Sequence, residues 1–201
     1  MDLDLSTLDL SAVDGKRIFV GLCGGIAVYK MATVVSKLAQ AGADVRCAMT
    51  PSAARFVTPL TFQALSANPV YTSQWEHIES QDPQHISLAD RTDLALIAPC
   101  TMDAMARLAT GRTDDVVMLI LSAIDRRKVP VLLAPSMNAV MWDQASTQRN
   151  RDQLEADGFG FVGPGEGWQA CRHVGKGRLS EPEVLLHAVA SRLASPVGSS
   201  G

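Results

Sequence analysis

This sequence has no excess of positive charge and no long apolar segment. Its 201 residues include 18 basic and 21 acidic side chains, and the net charge of -3 provides no positive field to hold a nucleic acid backbone. Apolar stretches such as residues 116–121 and 129–135 are far shorter than the roughly 20 residues that span a bilayer. We therefore expect neither a nucleic acid nor a membrane among its partners.

Cysteine is scarce and irregularly spaced. The thiols at Cys23, Cys47, Cys100 and Cys171 show neither CxxC nor Cys/His ligand spacing. Neither a metal site nor a disulfide framework is therefore predicted.

The first fourteen residues carry four aspartates and no Lys or Arg, which is the reverse of a secretory signal. We expect a cytoplasmic protein, in which isolated thiols stay reduced.

Aromatic residues make up only 5% of the chain, which is typical of an α/β core built from aliphatic layers. Apolar runs alternate with amphipathic stretches, and this alternation predicts a three-layer Rossmann-like (flavodoxin-like) α/β domain with a mostly parallel central sheet. We expect an acidic leader over residues 1–15, this domain over 16–194 and a flexible tail over 195–201. Predicted strands cover 17–22, 44–49, 94–98, 129–134 and 159–162, and predicted helices cover 26–40, 53–66, 102–109, 115–126, 139–157 and 183–193.

Ligands of such folds bind beyond the carboxyl ends of the strands, where this chain places glycines and polar side chains. Glycines after the first strand let the backbone approach a ligand, and hydroxyls after the second suit a phosphate. Polar residues also follow the third and fourth strands. Taken alone, these segments have other interpretations: a tight turn after the first strand, helix caps after the second and third, and core residues after the fourth. The candidates are Gly24, Gly25, Ile26, Thr50, Ser52, Thr101, Met102, Asp103, Ala104, Ser136, Met137 and Asn138.

A glycine-rich segment, residues 163–180, carries a further candidate and suggests a hairpin or flap. Cations near a thiol stabilise its ionised form, so Cys171 could be a thiolate or a proton donor. A basic surface loop with an incidental cysteine is the alternative. The neighbouring cations are Arg172, His173, Lys176 and Arg178.

Taken together, these segments resemble the flavin-containing cysteine decarboxylases. Within that family they are most similar to phosphopantothenoylcysteine decarboxylases, which form the amino-terminal half of bacterial bifunctional coenzyme A biosynthesis flavoproteins. The resemblance runs from about Lys16 to about Leu193. It rests on a flavin loop at 24–30, a histidine segment at 85–86, a PxMNxxMW motif at 135–142 and a cysteine flap at 169–182.

The resemblance implies FMN as cofactor. Its phosphate would lie near Gly24, Gly25, Thr50 and Ser52, and its ring near residues 101–104 and Ser136. In this family, oxidation of the cysteinyl thiol to a thioaldehyde provides an electron sink for the loss of CO2. The expected reaction converts 4'-phosphopantothenoylcysteine to 4'-phosphopantetheine with no net redox change.

The resemblance also assigns roles to the remaining candidates. His85, which on its own reads as a surface or core histidine, would act as base or orient the substrate. Asn138 would hold the substrate carboxylate, with Met137 and Ala170 beside it, and Cys171 would supply a proton. Family members are trimers or dodecamers built of trimers, with the flavin at a subunit interface.

Several alternatives stay open. Asp103 replaces an Asn that is common in the family's flavin site, and this change concerns the hydrogen bonds to the flavin. Arg172 and His173 stand where the family usually has Gly and an acidic residue, so the true substrate can be a divergent thiol. Three related protein classes are alternatives, and each differs from this chain in one feature. A lantibiotic-type peptidyl-cysteine decarboxylase typically lacks the flap cysteine, and a flavin prenyltransferase lacks the PxMNxxMW motif. Non-enzymatic regulatory relatives usually carry long acidic tails, unlike residues 195–201 of this sequence. The ligase half can be a separate chain or a part of a longer protein that this sequence does not include.

Overall fold

The computed structural model describes residues 8–76, 84–168 and 174–195. Its strands are β1 (Arg17–Leu22), β2 (Asp44–Met49), β3 (Val70–Tyr71), β4 (Leu94–Cys100), β5 (Val131–Pro135), β6 (Gly160–Phe161), β7 (Gly165–Trp168) and β8 (Val174–Arg178). Its helices are α1 (Met31–Gln40), α2 (Pro59–Ser66), α3 (Gln84–Asp90), α4 (Met102–Ala109), α5 (Val116–Ala123), α6 (Ala139–Asp143), α7 (Ala145–Ala156) and α8 (Pro182–Ala194). None of these helices is both long and apolar enough to traverse a lipid bilayer.

Six strands form one parallel sheet in the order β3-β2-β1-β4-β5-β6. The order reverses between β1 and β4, which is the point where doubly wound sheets open a ligand crevice. Alternate side chains of each strand point to opposite faces. Ile18 and Val20 therefore pack with α1, α2 and α8, whereas Phe19 packs with α3, α4, α5 and α7. The predicted three-layer α/β fold is confirmed.

Two predicted helices are interrupted, and those continuous predictions were wrong. The predicted helix 53–66 is a 3-10 turn at Ala53–Arg55 followed by α2, because Pro59 cannot continue a helix and holds Thr58 extended. The predicted helix 139–157 is split at Gln144, whose backbone leaves the helical conformation with φ -60° and ψ 136°. Thr147 and Gln148 donate side-chain hydrogen bonds to carbonyls at the end of α6, and these bonds satisfy the interrupted helix end.

Other boundaries moved by less. The predicted helix 26–40 begins as a 3-10 helix at Ile26–Lys30 and becomes α1 only at Met31. β4 continues past the predicted end at residue 98. Pro99 can lie within it because the pairing with β5 is irregular there, so the missing backbone N–H of proline is not needed as a hydrogen-bond donor. The short elements β3 and α3 carried no periodic signal and were not predicted.

The amino-terminal residues 8–15 pack on the domain. Val13 is fully buried in the cluster that includes α8, and Leu8 and Leu10 lie against it. The amide of Gly15 donates to the carbonyl of Gly42 at 3.0 Å. Residues 1–7 of the expected leader and 196–201 of the expected tail lie outside the described residues.

Candidate functional site

Two adjoining cavities open at the carboxyl edge of the sheet. The larger has a volume of about 740 Å³ and lies between the loops that follow β1, β2, β4 and β5. The smaller, of about 560 Å³, is bounded by the 3-10 helix after β1 and by β8. Both are lined by Gly25, Ser136 and Met137, so they meet at these residues.

The structure brings most of the predicted cofactor residues together in the larger cavity. Ile26 lies apart from them and lines the smaller cavity, together with the predicted substrate residue Asn138. Met137 lines both. The predicted cofactor residues in the larger cavity are Gly24, Gly25, Thr50, Ser52, Thr101, Met102, Asp103, Ala104 and Ser136.

Close backbone packing forms one end of the larger cavity. A Cβ atom at Gly24 would lie 2.2 Å from Cβ of Ser52 and 2.9 Å from its carbonyl carbon, so only glycine allows this approach. At Gly25 the nearest atom would be Cγ2 of Thr101, at 3.8 Å. The loops after β1 and β2 are therefore in contact, while the backbone at Gly25 borders the cavity.

Two hydroxyl groups in this cavity also cap local turns. Thr50 Oγ1 accepts a hydrogen bond from the Ala53 amide at 3.2 Å, and Thr101 Oγ1 accepts one from the Ala104 amide at 3.1 Å. The capping interpretation is therefore correct for both threonines. A hydroxyl that accepts a bond still has its own proton to donate, so capping is compatible with ligand binding.

An ion-pair cluster that the sequence analysis missed forms another wall of the cavity. Arg107 contacts Asp103 at 2.9 Å, Asp114 at 3.1 Å and Asp115 at 2.9 Å. Asp115 also caps α5, since its Oδ1 accepts a hydrogen bond from the Met118 amide at 3.0 Å. Burial alone would lower the pKa of Arg107, but contact with the Asp103 carboxylate and the charges of the other two acids raise it.

The buried thiols near the site are not thiolates. Burial raises the pKa of Cys100 to about 12. Cys23 lines the larger cavity, and burial first, then the neighbouring Cys100, raises its pKa well above the ordinary value. Neither cysteine is therefore ionised at neutral pH, and neither is a nucleophile of the site.

The antiparallel hairpin β7–β8 lies beside the smaller cavity, which confirms the predicted hairpin. The Met137 amide donates to the carbonyl of Gly177 at 2.8 Å, and a Cβ atom at Gly175 would lie 2.8 Å from Cβ of Ala139. These contacts place β8 directly on the loop after β5. In that loop, Asn138 caps α6 by accepting a hydrogen bond from the Val140 amide at 2.8 Å.

The predicted catalytic residues are not assembled at these cavities by the described chain. His85 is half-buried on α3 and is not among the described residues that line either cavity. Cys171 and Ala170, together with Arg172 and His173, belong to the segment 169–173 between β7 and β8, which lies outside the described residues.

We expect Asp115 to stabilise the wall of the larger cavity chiefly as a helix cap. Asp115→Ala should lower the free energy of unfolding by about 2 kcal/mol, because it removes the cap and one partner of Arg107. Asp115→Asn retains a capping oxygen and should cost about 1 kcal/mol or less. Chemical denaturation followed by circular dichroism measures both.

The matched control is Asp114→Ala, which removes a half-exposed partner of Arg107 and should change stability by about 0.5 kcal/mol or less. Equal losses for Asp115→Ala and Asp115→Asn would contradict the capping role and assign the stabilisation to charge.

Known proteins with similar sequences are coenzyme A biosynthesis proteins. The bifunctional protein of Bacillus subtilis is 44% identical over 174 residues, which are 87% of this chain and 42% of that protein. The bifunctional protein of Haemophilus influenzae is 43% identical over 177 residues, 88% of this chain and 44% of its own length. The chain thus spans less than half the length of the curated relatives it matches.

Solved structures with the same fold include decarboxylases. A PPC decarboxylase mutant complexed with pantothenoylaminoethenethiol has a TM-score of 0.82 and 26% identity, covering 90% of this chain and 99% of that one. The FMN-dependent cysteine decarboxylase SpaF has a TM-score of 0.77 and 26% identity, covering 91% and 99%. The family model for flavoproteins matches residues 9–194. The chain therefore belongs to the flavoprotein family, as its motifs predicted.

Proposed function

We propose that the chain binds FMN and decarboxylates 4'-phosphopantothenoylcysteine to 4'-phosphopantetheine. The observation that carries the proposal is the meeting of two cavities at Gly25, Ser136 and Met137. One cavity has the residues expected to hold a flavin, and the other has Asn138 and the base of the hairpin. The similarity to coenzyme A biosynthesis proteins and to a PPC decarboxylase supports this substrate.

The larger cavity suits FMN in size and chemistry. Its volume of about 740 Å³ is within the range of small-molecule sites. Gly24 and Gly25, with the hydroxyls of Thr50 and Ser52, would hold the phosphate, and residues 101–104 with Ser136 would hold the ring. When bound, the flavin supplies reversible oxidation of the cysteinyl thiol, which gives the substrate an electron sink for decarboxylation.

The chain's own residues would position the substrate and donate the proton that completes the product. The amide NH2 group of Asn138 is a donor suited to the substrate carboxylate, and Asn138 is held by its cap on α6. Met137 and Ala170 would flank the substrate. Cys171, on the segment that joins β7 to β8, would donate the proton that completes the thiol product.

We propose a homo-oligomer, a trimer or a dodecamer built of trimers, with the flavin at the subunit interface. The position of His85 supports this arrangement. Among the described residues, His85 lines neither cavity, so a second copy of the chain would have to bring it to the substrate. In that position His85 would act as base or orient the substrate.

We place the reaction in the cytoplasm. Cys23, Cys47 and Cys100 are free and buried, although two of them are neighbours at the end of the sheet. Unpaired thiols of this kind are typical of proteins in a reducing compartment.

The first experiment is an absorbance spectrum of the purified protein, followed by addition of 4'-phosphopantothenoylcysteine and mass analysis of the product. We expect a yellow protein and a product lighter by one CO2. A yellow protein that leaves this substrate intact but decarboxylates a peptide with a carboxyl-terminal cysteine would favour the peptidyl-cysteine alternative. A protein that takes up no FMN would contradict the proposal.

Cys171→Ser should retain the flavin but stop turnover after decarboxylation, because a hydroxyl is a much weaker acid than a thiol. Mass analysis should detect a product two hydrogens lighter than 4'-phosphopantetheine. Cys47→Ala is the control, since Cys47 is buried in β2 away from both cavities, and it should form the normal product. Normal product from Cys171→Ser would refute the proton-donor role.

Complementation between two inactive variants tests whether two copies of the chain form each active site. His85→Asn and Asn138→Ala should each lower turnover at least about 100-fold, as losses of a general base and a substrate anchor. If each site takes His85 and Asn138 from different copies, co-expression of the two variants forms some sites with both residues intact. We expect part of the activity to return in mixed oligomers, measured per bound flavin. No recovery in oligomers shown to be mixed would place both residues in one chain.

A further inference from the structure

Two cations and one carboxylate meet at the wall of the smaller cavity. Nζ of Lys30 lies 2.8 Å from Oε2 of Glu181, and the guanidinium of Arg178 contacts Oε1 of the same side chain. Lys30 and Arg178 both line the cavity, which also contains Asn138. The three charged residues come from the 3-10 helix after β1, the end of β8 and the residue before α8.

The charges of this cluster do not balance. Within the described part of the chain, Glu181 is the only carboxylate paired with either Lys30 or Arg178, which leaves one positive charge in excess. Burial would raise the pKa of Glu181, but the two cations hold it below its ordinary value, so the carboxylate is charged. A further anion would complete the cluster.

Lys30 is well placed for such an anion. Its side chain is only 12% exposed, so its ammonium group is less hydrated than that of a surface lysine. A partly desolvated ammonium interacts more strongly with a phosphate than one in bulk water. In an ordinary surface ion pair, Lys30 would be exposed and the carboxylate of Glu181 would have a single cationic partner.

Arg178 is held by packing as well as by charge. A Cβ atom at Gly167 would lie 3.0 Å from Nη1 of Arg178, so glycine on the neighbouring strand makes room for the guanidinium. The adjacent Gly177 is tied to Met137 by a backbone hydrogen bond of 2.8 Å. The guanidinium is therefore positioned at the cavity, and its planar fork can bind two phosphate oxygens at once.

The expected phosphate site of the flavin does not account for these cations. Of the residues expected to hold that phosphate, Gly24, Thr50 and Ser52 line only the larger cavity and Gly25 lines both. Lys30 and Arg178 line only the smaller one. The side chains of the two anion sites thus line different cavities, which adjoin at Gly25.

We propose that Lys30 and Arg178 form a phosphate-monoester subsite, held by Glu181, that binds the phosphorylated end of the substrate while Asn138 binds its carboxylate end. The assignment rests on the proposed function and makes these residues determinants of specificity. The enzyme would distinguish 4'-phosphopantothenoylcysteine from its unphosphorylated form through them.

The test compares these two substrates with the FMN-loaded enzyme. Lys30→Met and Arg178→Met each leave one ion pair to Glu181 and should fold. We expect each to lower kcat/KM for the phosphorylated substrate about 30-fold or more, mainly through KM, because a charge-assisted contact is lost. For pantothenoylcysteine, kcat/KM should change less than about threefold. Lys30→Arg and Arg178→Lys should keep most of the preference, and Lys128→Met, at an 80% exposed side chain, should keep all of it.

Other outcomes overturn the subsite. Equal losses on both substrates would assign the cations a general structural role, and loss of the yellow flavin from the variants would assign them to the cofactor. If the unmodified enzyme decarboxylates neither substrate, the proposed function fails first. Binding of 4'-phosphopantetheine and pantetheine, measured by the change in flavin absorbance, then still decides whether Lys30 and Arg178 recognise a phosphate.

Discussion

The parallel pairing of β1 with β4 is the constraint on which both cavities depend. The chain leaves β1 for α1 on one face of the sheet and leaves β4 for α4 on the other, so the two loops separate beyond the strand ends. The pairing is tight, since a Cβ atom at Gly21 would lie 2.6 Å from Ile97 and 2.8 Å from Val117. A larger residue there would push β1 from α5 and change the separation of the loops that line the larger cavity.

Most of the sheet could be predicted because its longer strands are short apolar runs that can be recognised in the sequence itself. β1 and β2 begin and end at the predicted residues, since a glycine or a proline stands two residues beyond each end. The short β3 and the helix α3 depend on pairing and packing with distant parts of the chain and have no periodic pattern of their own. The break at Pro59 was visible in the sequence, whereas the break at Gln144 depends on side-chain bonds across α6 and α7.

All of the predicted cofactor residues except Ile26 gather in one cavity for the same local reason. Each follows a strand directly, and parallel strands bring their carboxyl ends to one edge. Charged clusters do not follow this rule. Lys30 and Glu181 are 151 residues apart in sequence, and Arg107 joins two helices, so only the folded chain shows these pairs. His85 was predicted from a motif, and a motif does not tell which copy of the chain a residue serves.

The hairpin β7–β8 would connect the proposed phosphate subsite with the proposed proton donor. Arg178 lies at its base on the smaller cavity, and Cys171 belongs to the segment that joins its two strands. The bond from Met137 to Gly177 fixes this base to a residue shared by both cavities. A phosphate bound at Arg178 would therefore act on the strand that follows Cys171, the proposed proton donor. Substrate that lacks the phosphate would lose this proposed contact, and with it binding energy at the base of the hairpin.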